Sequence, residues 1–238
     1  MNIIRRAVSR FVRVMFGSAP SPGPGARGVV PKGHIKLFAP DNPIVVEAGA
    51  HVGSDTIEMS KLWPGGTIHA FEPIPHLFAK LKANTSGLKN VRLYPCALSD
   101  RVGVANMFVS RGSSDGSSSL LLPKEHLSQH PTVYFHEVVE VPTITLSQWA
   151  LEYNVDRVDL LWLDMQGYEL AMLKASRELL RTVSAVYTEV SLKELYQGTP
   201  LYPVVREWLQ GEGFKVESEE LAWVDAGNVL FVRERRVA

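Results

Sequence analysis

A single cysteine, Cys96, occurs in 238 residues. That excludes an intramolecular disulfide framework and a cysteine-rich zinc centre, and it fits a reducing compartment. The thiol itself is expected to act as a buried small hydrophobe. No stretch of 18 apolar residues is present, so no transmembrane helix is expected. Arg10 and Arg13 interrupt the apolar run that a secretory signal would need. The seven histidines form no His-Glu-x-x-His sequence, and no metal site is expected. Acids are missing from the start of the chain: residues 1–40 carry seven basic side chains before Asp41. The balance of 25 basic and 25 acidic groups therefore hides a basic leader and a domain with 18 basic and 25 acidic groups. An acidic domain offers no electrostatic footprint for nucleic acid.

With 45% apolar and 21% charged residues, the chain has the composition of a globular protein, and one domain with an appendage is expected. Ile4, Val8, Phe11, Val12 and Met15 share one face of residues 2–16, opposite Arg5, Arg6, Arg10 and Arg13. Residues 1–16 are thus expected to form a basic amphipathic helix. Residues 17–40, rich in Pro and Gly, are expected to be a linker, and 41–238 the main domain. The helix suits weak, reversible contact with an anionic membrane surface, with packing on the acidic domain or a transit peptide as alternatives. A cytoplasmic protein, peripheral at a membrane if that helix docks, is the expected location.

From residue 44 buried apolar runs alternate with amphipathic ones. Strands are expected at Ile44–Ala48, Thr67–Phe71, Val91–Cys96, Val158–Leu163 and Ala185–Val190. Helices are expected at Asp55–Leu62, His76–Asn84, Leu146–Tyr153, Glu169–Arg177 and Pro203–Gln210. A hairpin with an inserted loop should fill the alternating stretch from about 100 to 142. Phe214–Glu217 and Val229–Arg233 should close the sheet as an antiparallel pair. Strands buried on both faces between helices imply an open, mostly parallel sheet, whose ligands lie beyond the carboxyl ends of its strands.

The first such end reads VEAGAHVG (residues 46–53). Gly49 permits close backbone approach and Gly53 a tight helix start; with Ala50 between them, they form a candidate cofactor turn. Glu72 lies 19 residues on, at the end of the second strand, where a carboxylate can accept two ribose hydroxyls. The dinucleotide pattern G-x-G-x-x-G is not met. Glu47 beside the turn disfavours a pyrophosphate and suits a cationic ligand such as S-adenosylmethionine. Asp100, after the third strand, is placed to bond an adenine amine. Asp164 closes an apolar strand, where a carboxylate is costly unless paired or functional. Glu189 ends the next strand, so Asp164 and Glu189 are the candidate catalytic groups bordering a methyl acceptor; Glu169 is a weaker candidate. The Ser113–Ser119 stretch is either a disordered tip or a loop that closes over substrate.

VEAGAHVG (46–53), AFEPIP (70–75), ALSD (97–100), SSSL (117–120), VPTITL (141–146) and LDMQGYE (163–169) together resemble the FkbM family of S-adenosylmethionine-dependent methyltransferases over residues 43–233. The resemblance implies a seven-stranded class I methyltransferase α/β sheet, Rossmann-like, with an antiparallel last strand and helices on both faces. It implies methylation of a hydroxyl on a sugar, glycan or secondary metabolite, a small-molecule or glycan acceptor. Cofactor residues carried over onto these motifs are Glu47, Gly49, Ala50, Gly53, Glu72, Pro73, Ala97, Asp100 and Asp164. The chain departs from the family pattern at His51, Ser147, Trp162 and Gln166, where Asn, Asp, Lys and Glu are usual. No Asn/Asp-Pro-Pro-aromatic sequence follows the fourth strand, which weighs against nitrogen methylation. Two other functions fit the same sheet: an NAD(P)-dependent oxidoreductase, and a non-catalytic cofactor-binding module at a membrane.

Overall fold

The computed structural model describes residues 29–234. The expected basic helix and the Pro/Gly-rich stretch up to residue 28 lie outside the described residues. A short helix α1 (Lys32–Ile35), continued by a 3₁₀ turn (Lys36–Phe38), opens the structure. It is followed by β1 (Ile44–Ala48), α2 (Ser54–Leu62), β2 (Thr67–Phe71), α3 (Pro75–Asn84), β3 (Val91–Tyr94) and β4 (Ala97–Leu98). Then come β5 (Gly103–Gly112), α4 (His126–Gln129), β6 (Val133–Ile144), α5 (Leu146–Glu152), β7 (Leu160–Leu163), α6 (Glu169–Ala175) and α7 (Arg177–Leu180). The chain closes with β8 (Ala185–Ser191), α8 (Tyr202–Gly211), β9 (Phe214–Glu220) and β10 (Ala226–Arg233).

Seven strands form one sheet in the order β3-β2-β1-β7-β8-β10-β9. The central pairings are parallel, and β10 runs antiparallel to both its neighbours. Strand order reverses between β1 and β7, where ligands of such sheets bind. Register brings the chemistry to one level: Ala48 pairs with Phe71 and Leu163, and Leu163 with Thr188. The residues that next leave the sheet on β1, β2 and β7 are Gly49, Glu72 and Asp164, which therefore surround the switch point, while Glu189 follows Thr188 within β8, paired with Asn228.

Along β1, Val46 and Ala48 enter one core layer with Phe71, Trp149, Leu161 and Phe231. Val45 enters the opposite layer with Met59, Trp63, Ile68 and Trp162. Val30 and Ile35 are fully buried in this second layer, so residues 29–38, expected within a linker, are part of the packed domain. Lys32 stands over the Trp162 ring at 4.9 Å and pairs with Asp55 (2.5 Å) and Glu58 (2.7 Å). Trp162 also packs on Tyr187, ring centroids 4.1 Å apart, which accounts for an aromatic at this interior position.

Two elements end earlier than expected. The third strand stops at Tyr94 because Pro95 has no N–H for the ladder; Ala97–Leu98 then joins a separate sheet, order β4-β6-β5, in which β5 and β6 form the expected hairpin. The helix begun at Glu169 breaks at Ser176, whose backbone leaves the helical region (ψ 32°) before α7. Among the described residues no helix is long and apolar enough to cross a membrane.

Candidate active site

A cleft, open at its mouth, lies beyond the ends of β1, β2 and β7. Its floor is the turn after β1. Gly49 adopts a left-handed φ of +87°, and the N–H groups of Gly49 and Ala50 both donate to the Phe71 carbonyl, at 3.1 and 2.9 Å. A Cβ on Gly49 would lie 1.9 Å from the Asp164 carbonyl oxygen, so only glycine lets β1 and β7 end this close together. His51, also left-handed at φ +51°, donates its N–H to Glu72 Oε2 at 2.9 Å, and Ile74 N–H donates to Oε1 at 2.8 Å. Buried Glu72 thereby ties the loop after β1 to the loop after β2. Burial pushes its carboxyl up to about 7 against the pull of these two N–H donors.

Of the residues singled out in the sequence, Gly49, Ala50, Glu72, Pro73, Ala97 and Asp164 line the cleft. Four other residues singled out in the sequence stand elsewhere. Glu47 is on the α2 face of β1, buried, and its Oε2 accepts the Thr56 hydroxyl at 2.6 Å; strand alternation turns it away from the cleft. Burial pushes its carboxyl up to about 8. Gly53 serves packing: a Cβ there would meet Leu81 Cδ1 at 2.7 Å, so its absence seats α2 on α3. Asp100 sits outside the wall and accepts the hydroxyl of Tyr168 at 2.9 Å; Tyr168 is the one that lines the cleft. Glu189 is set behind the wall, joined to Asp164 through Gln166, whose Nε2 donates to Asp164 Oδ1 (2.7 Å) and Glu189 Oε2 (2.6 Å). Desolvation by the surrounding protein raises both carboxyls, that of Asp164 despite its exposure to the cleft and that of part-buried Glu189 more strongly, because Asp164 and Glu169 also face it.

Glu169, in the first turn of α6, accepts the N–H groups of Met165 (2.7 Å) and Gly167 (3.3 Å) and holds the loop after β7 from within. Burial pushes its carboxyl up to about 7. The inserted Ser-rich segment is built into the site: Asp115, Gly116, Ser118 and Leu120 line the cleft. His51 Nε2 meets Asp115 Oδ1 at 2.8 Å, and Ser119 donates its hydroxyl to the Gln166 carbonyl at 2.9 Å. Cys96 is half-buried in the same wall, its thiol pushed up to about 11 by burial. Residues without a legible signal are Met107 and Tyr196. The latter's hydroxyl lies between the Ser117 carbonyl (2.6 Å) and Gln166 Oε1 (2.9 Å). His126 and His130, one turn apart on α4, also meet, ring to ring at 4.7 Å, but outside the cleft, where His130 pairs with Asp225 at 2.6 Å.

The wall tests the cofactor directly. Asp55, Glu72, Asp115 and Asp164 line the cleft, and among its described lining residues there is no Lys or Arg. A dinucleotide pyrophosphate would meet uncompensated acids there. A ligand with an ammonium, a sulfonium and no phosphate is favoured by them. Ile74, Leu77, Leu98 and Met107 supply an apolar slot beside Glu72, suited to an adenine ring.

The methyltransferase FkbM domain family matches residues 47–216. The chain belongs to the FkbM methyltransferase family. This family member is similar to 2-O-methyltransferase NoeI of Sinorhizobium fredii (strain NBRC 101917 / NGR234), 33% identical over 169 residues covering 69% of this chain and 70% of the relative. It is also similar to methyltransferase sdnD of Sordaria araneosa, at 26% identity over 77% of this chain and 78% of the relative. The crystal structure of methyltransferase FkbM from Methylobacillus flagellatus KT superposes with a TM-score of 0.52 at 11% identity. That superposition covers 81% of this chain and 44% of the solved one, and it shows the shared class I methyltransferase fold. The enzyme is an S-adenosylmethionine-dependent methyltransferase, and the acidic, phosphate-averse wall fits that cofactor.

Proposed function

We propose that this FkbM methyltransferase transfers a methyl group to a hydroxyl of a sugar, glycan or comparable polyol. Glu72 takes the ribose hydroxyls, the turn at Gly49 and Ala50 takes the methionine part, and Ile74, Leu77, Leu98 and Met107 enclose the adenine. Pro73 and Ala97 complete that wall. The cofactor, when bound, supplies a methyl group already activated on a positive sulfur. What remains for the protein is alignment, which can supply about 7–11 kcal/mol, and removal of one proton from the acceptor oxygen.

Asp164 is the group for that proton. It follows β7 in the cleft wall with its side chain exposed to the cleft, and desolvation by the surrounding wall raises its affinity for protons. Glu189 acts behind it through Gln166. The 113–120 loop, latched at His51, shields the reacting groups from water. The observation that carries this reading is the carboxylate of Asp164, which follows the end of β7 in the cleft wall and, unlike Glu72, is not taken up by backbone N–H donors. The name of the 2-O-methyltransferase relative supports an oxygen acceptor.

The test is incubation with isotopically labelled S-adenosylmethionine and a panel of neutral glycans, amines and thiols, followed by mass spectrometry. Label is expected in a hydroxylated acceptor, and Asp164→Asn is expected to slow transfer by a factor of about 10² to 10⁴. Label on nitrogen or sulfur, or an Asp164→Asn variant of undiminished rate, would refute it.

A further inference from the structure

Behind Asp164 lies a network that the transfer reaction, as derived so far, does not use. Gln166 is one of three non-glycine residues with a left-handed φ among the described residues, at +52°. That backbone geometry turns its side chain back across the loop, between the ends of two adjacent strands. Both hydrogens of its amide nitrogen are committed, one to Asp164 Oδ1 at 2.7 Å and one to Glu189 Oε2 at 2.6 Å. Its carbonyl oxygen faces the hydroxyl of Tyr196, a fully buried side chain. The amide cannot flip without setting its oxygen against two carboxylates and its nitrogen against an O–H donor, so its orientation is determined. The loop over the cleft is tied to this pair at two points: the backbone carbonyl of Gln166 accepts the Ser119 hydroxyl at 2.9 Å, and the Tyr196 hydroxyl donates to the Ser117 carbonyl as well as to Gln166.

Taking the proposed role of Asp164 as its basis, we propose that Gln166, oriented by Tyr196, is the positioning residue of the acceptor end. Its amide braces Asp164 and Glu189 as one unit and joins that unit to the 113–119 loop. Two carboxylates at adjacent strand ends repel one another; a neutral amide that donates to both holds them side by side with no cation between them. Glu189, outside the wall, then works as the far anchor that fixes the amide, and Asp164 is the end presented to the acceptor. Loop closure and the placing of Asp164 become one event, because Ser117 and Ser119 hold the same brace.

Other charged groups face the pair from every side and remain in any variant of Gln166. His51 favours ionised Asp164, and Asp55 opposes it. Asp164, Glu169 and Asp225 oppose ionisation of Glu189, and Glu72, Tyr187 and Tyr196 feel the charge of Asp164 in turn. Removing the amide alone therefore isolates its contribution. Met is the suitable replacement, since it keeps the length of the side chain and makes the same demand on the left-handed backbone as Gln.

The experiment is a carboxyl-carbon NMR titration of the full chain labelled with ¹³C at Asp and Glu, with the two signals assigned through Asp164→Asn and Glu189→Gln. In Gln166→Met the titration midpoint of the pair should rise by about one pH unit, because an N–H donor to the charged form has been lost. Tyr196→Phe should raise it by part of that amount and speed amide exchange at residues 113–119. Unmoved midpoints in a folded Gln166→Met variant overturn the proposal. If that variant does not fold, Tyr196→Phe decides it: a raised midpoint supports the brace and an unmoved one overturns it. Neither donor nor acceptor enters the titration, so failure here leaves the methyl-transfer reading standing, and failure to find a methylated hydroxyl leaves the Asp164–Gln166–Glu189 brace standing while removing its role at an acceptor.

Discussion

Replacing Gly49 by alanine should damage both fold and cofactor site, and the size of the effect can be worked out. At φ +87° an L-residue costs about 1–2 kcal/mol in the left-handed region. The added Cβ would sit 1.9 Å from the Asp164 carbonyl oxygen, and that neighbour is backbone, which cannot rotate away. Either the turn after β1 lifts from β7 or the two strand ends part, an overpacking cost of about 1–3 kcal/mol. Lifting the turn also strains the two N–H bonds to Phe71. The total of about 2–5 kcal/mol corresponds to a fall in Tm of roughly 5–15 °C for a domain of this size. Gly33, in α1, is the control: it has no atom within 4 Å of an added Cβ, so Gly33→Ala should leave Tm unchanged or raise it slightly. Differential scanning calorimetry of both variants, with S-adenosylhomocysteine titrated into each, measures this. A Gly49→Ala protein that melts with the parent and binds S-adenosylhomocysteine equally well would refute the idea that β1 and β7 meet at this glycine.

Further outcomes follow from the same geometry. Burial raises the carboxyls of Glu47, Glu72 and Glu169 to about 8, 7 and 7 from a model-compound value of 4.5. The folded protein therefore holds protons that the unfolded chain has released. The stability from these groups is full below about pH 4.5 and is lost as pH rises through 7 to 8. Glu47→Gln keeps an acceptor for Thr56 and removes the buried charge, so urea denaturation should show a gain of a few kcal/mol at pH 8 with little change at pH 4.5; an unchanged pH slope would contradict the burial argument. Cys96, the sole thiol, should react slowly with iodoacetamide at pH 8 and more slowly still with S-adenosylhomocysteine bound; equal rates would place the ligand elsewhere. Asp115→Ala should cost at most about 1 kcal/mol of stability, as for an exposed ion pair, yet make the 113–119 loop more sensitive to protease. Liposome co-sedimentation should show more of the full chain than of a chain starting at Val29 on anionic vesicles; equal partition would end the proposal of membrane contact through the basic leader.

The sheet was legible because its central strands are runs of β-branched and other apolar residues buried on both faces. Ile44–Ala48 and Thr67–Phe71 lie where their composition put them. Each misplacement has a definite cause, one local and one distant in sequence. Pro95 ends a strand that hydrophobicity alone would extend to Cys96. The low-complexity look of residues 17–40 concealed Val30 and Ile35, whose burial depends on α2 and β2, far off in sequence. At the site, glycine spacing and strand-end acids marked the turn that floors the cleft, yet Glu47 illustrates the limit: adjacency to the turn says nothing about which face of β1 a side chain takes. Glu189 lies on the expected strand, but β8 runs on to Ser191 and Gln166 stands between Glu189 and Asp164. Tyr196 carried no motif, and its role appears only when the Ser-rich loop and the loop after β7 are seen against the same hydroxyl.

What the cleft binds decides the function of the enzyme. Calorimetry of the full chain with S-adenosylhomocysteine and with NAD is the most direct measurement. The acidic wall predicts one-to-one binding of S-adenosylhomocysteine, weakened at least about tenfold in Glu72→Ala through loss of the ribose contacts, and no heat from NAD. Binding of NAD in place of S-adenosylhomocysteine, or undiminished S-adenosylhomocysteine binding in Glu72→Ala, would contradict it.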